Sequence, residues 1–272
     1  MKVCFTGLSL IVVLLLSGCV ASEDPTVETR NDQPNIVFIL VDDLGWDDVG
    51  YHGSEIATPN IDSLADQGIA LERSYAFPIC SPTRAALMTG MNPLQFGIDG
   101  AMENDAMLPR ELTLLPEYLR QAGYQTWMVG KWHLGMAHVK ATPLARGFDH
   151  FYGHLGGFID FYTHVYFGGL DWQRNGTSVR EEGHSTDLLT AEAIRLVEDH
   201  DGDEPFFLYL SYNAPHTPLQ YPPAGGPEYS NISNLDRRVF AQMTSHMDTS
   251  MGAFFEALKT AGEYENTLIV FM

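Results

Sequence analysis

Cysteine is nearly absent from this chain: there are three in 272 residues, Cys4, Cys19 and Cys80. Basic charge is scarce too, with 15 Lys and Arg against 35 Asp and Glu, a net charge of -20. That balance argues against a nucleic-acid partner, which calls for a basic face. It leaves an anionic substrate open, because a site is governed by its local charges rather than by the total. Long apolar runs are missing as well. The longest lies at Leu8 to Leu16, too short to span a bilayer as a stable helix. What remains is a chain 45% hydrophobic, ample for one large α/β domain and short for two.

Lys2 followed by the apolar run reads as an export signal over residues 1–18. Leu16-Ser17-Gly18-Cys19 matches a bacterial lipobox, with Cys19 as the lipidated first residue of the mature protein; without lipidation the cut would fall near Ala21. Residues 19–33, acidic with Pro25, read as a flexible tether, and residues 34–272 as the folded domain. The expected location is the cell envelope, with a membrane contact through the lipid. Cys4 falls in the signal and Cys19 carries the lipid. Cys80 is then the one cysteine of the mature domain, which excludes a disulfide framework and marks a candidate reactive residue.

Asn35 to Val41 is an apolar run of the kind buried in a parallel sheet, with Asp42-Asp43 directly after it. Two carboxylates there can converge on a hard cation, though an acidic turn would account for the pair alone. Asp47 and Asp48 read as surface turn residues. Thr58 to Gln67 reads as a helix capped by Thr58 with Pro59 at its first position, and Gly68 ends it. Ile69 to Tyr75 reads as a strand leading to Cys80-Ser81-Pro82-Thr83-Arg84-Ala85-Ala86-Leu87-Met88-Thr89-Gly90. There Ser81 suits an N-cap, Pro82 the first helical position and Gly90 the end. Cys80 then sits at a helix N-terminus, where free N–H groups and the dipole favour an anion. Arg84 lies one turn further on.

Further along, the sequence predicts a helix over Thr113 to Ala122 and a strand over Tyr124 to Val129. Gly130-Lys131-Trp132-His133-Leu134-Gly135 follows that strand, with Lys131 and His133 on one face if the backbone stays extended. Gly147 to Arg180 reads as loops and short strands, Thr186 to Asp199 as a helix and Pro205 to Tyr212 as a buried strand ending just before His216. Val239, Met243, Met247, Met251, Phe254 and Leu258 form a core stripe on a long helix over Leu235 to Ala261. A last strand opens at Thr267. His150, His154, His164 and His184 receive no role. Asp42, Lys131 and His216 all fall at the carboxyl ends of strands, where open α/β sheets bind ligands.

The C-x-P-x-R-x4-T-G run from Cys80 to Gly90, Asp42-Asp43 after the first strand, Gly130 to Gly135 and Asn213-Ala214-Pro215-His216 together resemble the type I sulfatases, nearest the arylsulfatase B-like group. The resemblance spans Pro34 to Met272. It implies an alkaline-phosphatase-like α/β fold with a large sheet sandwiched between helices. It implies that Cys80 becomes formylglycine, whose gem-diol attacks the sulfur of a sulfate ester and then expels the sulfate. It further implies one Ca2+ held by Asp42, Asp43 and the modified Cys80, with Lys131 on the sulfate and His133 on the formylglycine hydroxyl. His216 would contact the sulfate and protonate the leaving oxygen, and Arg84 would complete the catalytic set. Expected partners are a sulfated carbohydrate or aryl sulfate, and a formylglycine-generating or anaerobic sulfatase-maturing enzyme. In the family an Asp-Asn metal pair and a sulfate-binding lysine follow the strand that here opens at Thr267, and a smaller C-terminal subdomain follows later. The chain ends before both. The expectation is therefore an incomplete, weakly active or inactive piece lacking the last part of the sheet. Two other readings stay open: a phosphatase or phosphodiesterase of the alkaline phosphatase superfamily, and a non-catalytic envelope-anchored binding protein.

Overall fold

A computed structural model describes residues 33–102 and 105–272. The signal segment, Cys19 and the tether up to residue 32 lie outside them. The strands are β1 (Asn35–Asp42), β2 (Gln125–Lys131), β3 (His150–His154), β4 (Val165–Tyr166), β5 (Gly169–Leu170), β6 (Gln173–Arg174), β7 (Thr177–Ser178), β8 (Phe206–Pro215) and β9 (Thr267–Phe271). The helices are α1 (Pro59–Gln67), α2 (Cys80–Thr89), α3 (Leu115–Gln121), α4 (Ser185–Glu198) and α5 (Leu235–Thr260). One sheet runs in the order β7-β6-β3-β2-β8-β1-β9, and β4 and β5 form a separate pair. From β3 to β9 the neighbours are parallel; β6 and β7 join antiparallel.

Successive side chains of a strand point to opposite faces, and here both faces are apolar. Val37, Ile39 and Val41 of β1 meet Leu189, Ala193, Met243 and Met247 of α4 and α5. Leu40 on the other face meets Ala85 and Met88 of α2, together with Phe207 and Tyr209 of β8. Covering on both sides is what a parallel sheet requires. The Val239 to Leu258 stripe of α5 is buried throughout, as its spacing predicts.

Some local expectations change. Ile69 to Tyr75 forms no strand, and Ile69 and Tyr75 are almost fully exposed. β1 is already paired on both edges, by β8 and β9, which leaves it no free ladder to offer this segment. Helix α2 begins at Cys80 with Ile79 as N-cap, rather than at Pro82 with Ser81 as cap. Ser81 Oγ is used elsewhere: it donates to the His133 carbonyl at 3.0 Å and accepts from the Met102 N–H at 2.9 Å. Pro82 is tolerated within the first turn because the first four N–H groups of a helix have no intrahelical partner. Thr58 does not cap α1 with its side chain. The buried Asp248 carboxylate of α5 accepts the Asn60 and Ile61 N–H groups instead, at 3.1 and 2.8 Å.

The middle of the sheet depends on glycine. Gly130 has φ +118, and a Cβ there would lie 1.8 Å from the Ser211 carbonyl oxygen of β8. Both the positive φ and the close approach of strands exclude a side chain. Gly130→Ala is expected to destabilise the domain by more than about 3 kcal/mol, adding backbone strain to overpacking. The midpoint of chemical unfolding measures this; an unchanged midpoint would contradict it.

Candidate active site

The carboxyl ends of β1, β2 and β8 come together where α2 begins. β1 and β2 run one or two residues further than their apolar runs suggest, so Asp42 and Lys131 are themselves strand termini. Lys131, Arg84 and Asp42 are 0%, 1% and 4% exposed. Lys131 Nζ donates to Asp42 Oδ2 in a short ion pair, and Arg84 Nη2 lies 3.5 Å from Asp42 Oδ1. Arg84 Nη1 donates to the Lys131 carbonyl at 2.8 Å, to Ser211 Oγ at 2.5 Å and to the Tyr209 hydroxyl at 3.3 Å.

Charge sets the chemistry of this cluster. Burial would raise the Asp42 carboxyl, but Lys131, Arg84 and His216 overcome it and hold the group at about 2. Burial pulls the Lys131 ammonium below the usual lysine value, and Asp42 opposes that fall. Two buried cations thus face one buried carboxylate, an excess of positive charge out of water. Charges so placed act more strongly than in solvent. Arg84 Nε and Nη2 make no hydrogen bond among the described residues.

The thiol stands beside this cluster. Cys80 Sγ is 3.1 Å from His133 Nδ1. Burial, then Lys131 and Arg84, push the His133 imidazole down to about 3, so the ring is neutral at neutral pH. It can hold or pass one proton at Nδ1. His133 has φ 55, and its N–H donates to the Leu155 carbonyl at 3.1 Å, so β3's extension fixes the backbone. Gly157 leaves room for the ring, since a Cβ there would sit 2.7 Å from His133 Cε1 and Nε2.

His216 follows β8, its Nε2 3.5 Å from Asp43 Oδ2 and its Nδ1 donating to the Thr217 carbonyl at 2.6 Å. The imidazole stacks on Phe158. Asp43 has φ 64 and is largely exposed. Both carboxylates of the Asp42-Asp43 pair therefore border His216. As oxygen donors at one strand end they suit a hard divalent cation in kind. Cys80 is engaged with His133 rather than with this pair.

Sequence reasoning missed three contributors. His154 of β3 stands in register with Lys131, is fully buried and has neither ring nitrogen hydrogen-bonded. Burial, then Lys131 and Arg84, keep it neutral, well below the usual histidine value. Only the pairing of β2 with β3 reveals it. Ser211 and Tyr209, which hold Arg84, sit in a continuously buried strand whose sequence carries no signal of function.

The chain matches the family described as Sulfatase over residues 34–272. It is 39% identical to mouse (Mus musculus) arylsulfatase J over 250 residues, covering 88% of this chain and 42% of that protein. It is 32% identical to mouse N-acetylgalactosamine-6-sulfatase over 303 residues, covering 100% of this chain and 54% of that protein. Among solved structures, Ps i-CgsB superposes with a TM-score of 0.77 at 37% identity, covering 88% of this chain and 58% of that one. The chain thus spans about half the length of these relatives.

Proposed function

Because the chain belongs to the sulfatase family, of the type I group with the alkaline-phosphatase-like fold, we propose that it carries the nucleophilic half of a site that hydrolyses sulfate esters. The observation that carries this reading is Cys80 Sγ at 3.1 Å from a neutral His133, beside a buried cluster with surplus positive charge. On this reading Cys80 is the precursor of formylglycine, made by a formylglycine-generating or anaerobic sulfatase-maturing enzyme. The modified residue supplies the attacking oxygen and an internal route to release sulfate, so one hard step becomes two easier ones.

The chain's own residues do the rest. Lys131 and Arg84 supply the positive field that would stabilise negative charge on the sulfate oxygens as the bond from sulfur to the leaving oxygen breaks. His133 Nδ1 sits where it can take a proton from the residue 80 side chain. His216, whose Nε2 lies 3.5 Å from Asp43 Oδ2, would hand a proton to the leaving oxygen. Asp42 and Asp43 would hold a divalent cation, with Ca2+ the ion their oxygens suit, which adds charge stabilisation there.

A sulfated carbohydrate is the proposed substrate class. One matched relative is named for a sulfated amino sugar, and a neighbour at 35% identity was solved with k-i-k-neocarrahexaose. The test is release of sulfate from an aryl sulfate and a sulfated oligosaccharide by matured protein, against release of phosphate from the matching aryl phosphate. Sulfate release is expected to dominate; preferential phosphate release with an unmodified Cys80 would favour a phosphatase.

Gly157 gives a sharper check on His133. Gly157→Ala must displace the imidazole, and a misplacement of about 1 Å costs roughly 10²-fold in rate. Turnover is expected to fall by about that factor, with a melting temperature close to the parent's. Unchanged turnover would remove His133 from the proton path.

A further inference from the structure

Three side chains outside the active site gather at the start of α4. His184 is its N-cap, Asp187 lies in its first turn, and His246 reaches across from the middle of α5. One ligand atom from each lies within 4.8 Å of the other two, the one such group of His, Cys, Asp or Glu among the described residues. From this convergence we propose a second metal site, for a borderline transition cation such as Zn2+, held by His184, Asp187 and His246.

Independent observations point to a ligand here. His184 is 2% exposed, and neither ring nitrogen has a hydrogen-bond partner. A buried imidazole without a partner carries a desolvation cost that an ion would relieve. Its orientation comes from packing: it stacks on Phe161 and meets Tyr162 and His246 edge-on, each with centroids 5.1 to 5.2 Å away. His246 Nε2 lies 2.7 Å from Asp187 Oδ1, so two of the three groups already meet as an ion pair beside the unpartnered His184.

The donor set selects the metal. Two imidazole nitrogens and one carboxylate oxygen match the three-ligand zinc sites that keep a fourth position open. Calcium, which takes six to eight oxygens, is not served by two imidazoles. Ligands at about 2.0 to 2.2 Å from the ion require the group to draw inward slightly. Asp187, with 44% of its side chain exposed, and His246 lie on the open side and can move. His246 also lines a pocket of about 270 Å³ formed with Tyr221 to Glu228 and Gln242.

Cobalt substitution tests the site without any activity assay. The whole chain, stripped with a chelator, is titrated with Co2+ and then Zn2+. One four-coordinate Co2+ per chain, counted from its intense visible bands and displaced by Zn2+, is the expected result, separate from any oxygen-bound ion at Asp42 and Asp43. His246→Gln and Asp187→Asn change partly exposed side chains and are expected to stay folded by circular dichroism. Each should weaken binding by more than the roughly 10- to 100-fold that loss of an outer-shell partner costs, and remove the rise in melting temperature that Zn2+ gives the parent. Cys80→Ser should leave the spectrum unchanged. No uptake at micromolar metal, or a spectrum lost in Cys80→Ser and kept in His246→Gln, would overturn the proposal.

Discussion

Alanine at position 80 is expected to abolish sulfate-ester hydrolysis while the domain stays folded. Removing a covalent nucleophile costs roughly 10⁴-fold or more in turnover. No neighbour can replace it. Ser81 is fully buried, and its hydroxyl is committed to the His133 carbonyl and the Met102 N–H. Thr83 Oγ1 is committed to the Phe77 carbonyl at 2.8 Å. Stability should barely change, because Cys80 is only partly buried and alanine is the best helix former. Kinetics on an aryl sulfate and a thermal melt settle both halves. Turnover within tenfold of the parent would remove Cys80 from the mechanism, and a collapsed melting transition would make it structural.

The second large effect is on stability. Asp42→Asn leaves Lys131 and Arg84 buried with no carboxylate between them. Removing one partner of a buried ion pair costs about 3–5 kcal/mol, and a fall of that size in unfolding free energy is expected. The pH dependence carries a separate signature. The Asp42 carboxyl is depressed from 3.8 to about 2 in the folded state. A depressed acid stabilises the fold above its unfolded value and loses that contribution as pH falls through the folded one. The stabilisation, about 2 kcal/mol at one unit per 1.36 kcal/mol, is therefore present above pH 4 and disappears toward pH 2. The asparagine variant should lack that step. Equal acid profiles for parent and variant would mean that Asp42 is not the charged centre of the cluster.

Much of the fold is legible in the sequence, for physical reasons that differ by element. β1, β2 and β8 are apolar because both faces of a parallel sheet are covered, so their runs announce them. The α5 stripe is equally plain, since one face of a long helix meets the core. Residues that end strands then converge by topology, so the positions of Asp42, Lys131 and His216 behind their apolar runs already place them on one edge of the sheet. The misreadings are tertiary. Ile69 to Tyr75 reads as a strand leading to Cys80 yet has no ladder to join on β1. Ser81 has the chemistry of a cap, but its hydroxyl bridges two other segments. His154 gains its place from the β2–β3 register, and His184 meets His246 through the packing of α4 on α5. Local pattern carries no information on contacts of that range.

The central claim is that residue 80 acts as formylglycine. Intact-peptide mass spectrometry across Cys80, on protein produced with a maturing enzyme, tests it most directly. The expected peptide is lighter by the exchange of hydrogen sulfide for an oxygen atom, is captured by a hydrazide, and rises in proportion to sulfatase turnover. Full sulfate-ester hydrolysis by protein whose peptide still carries the intact Cys80 thiol would contradict the account.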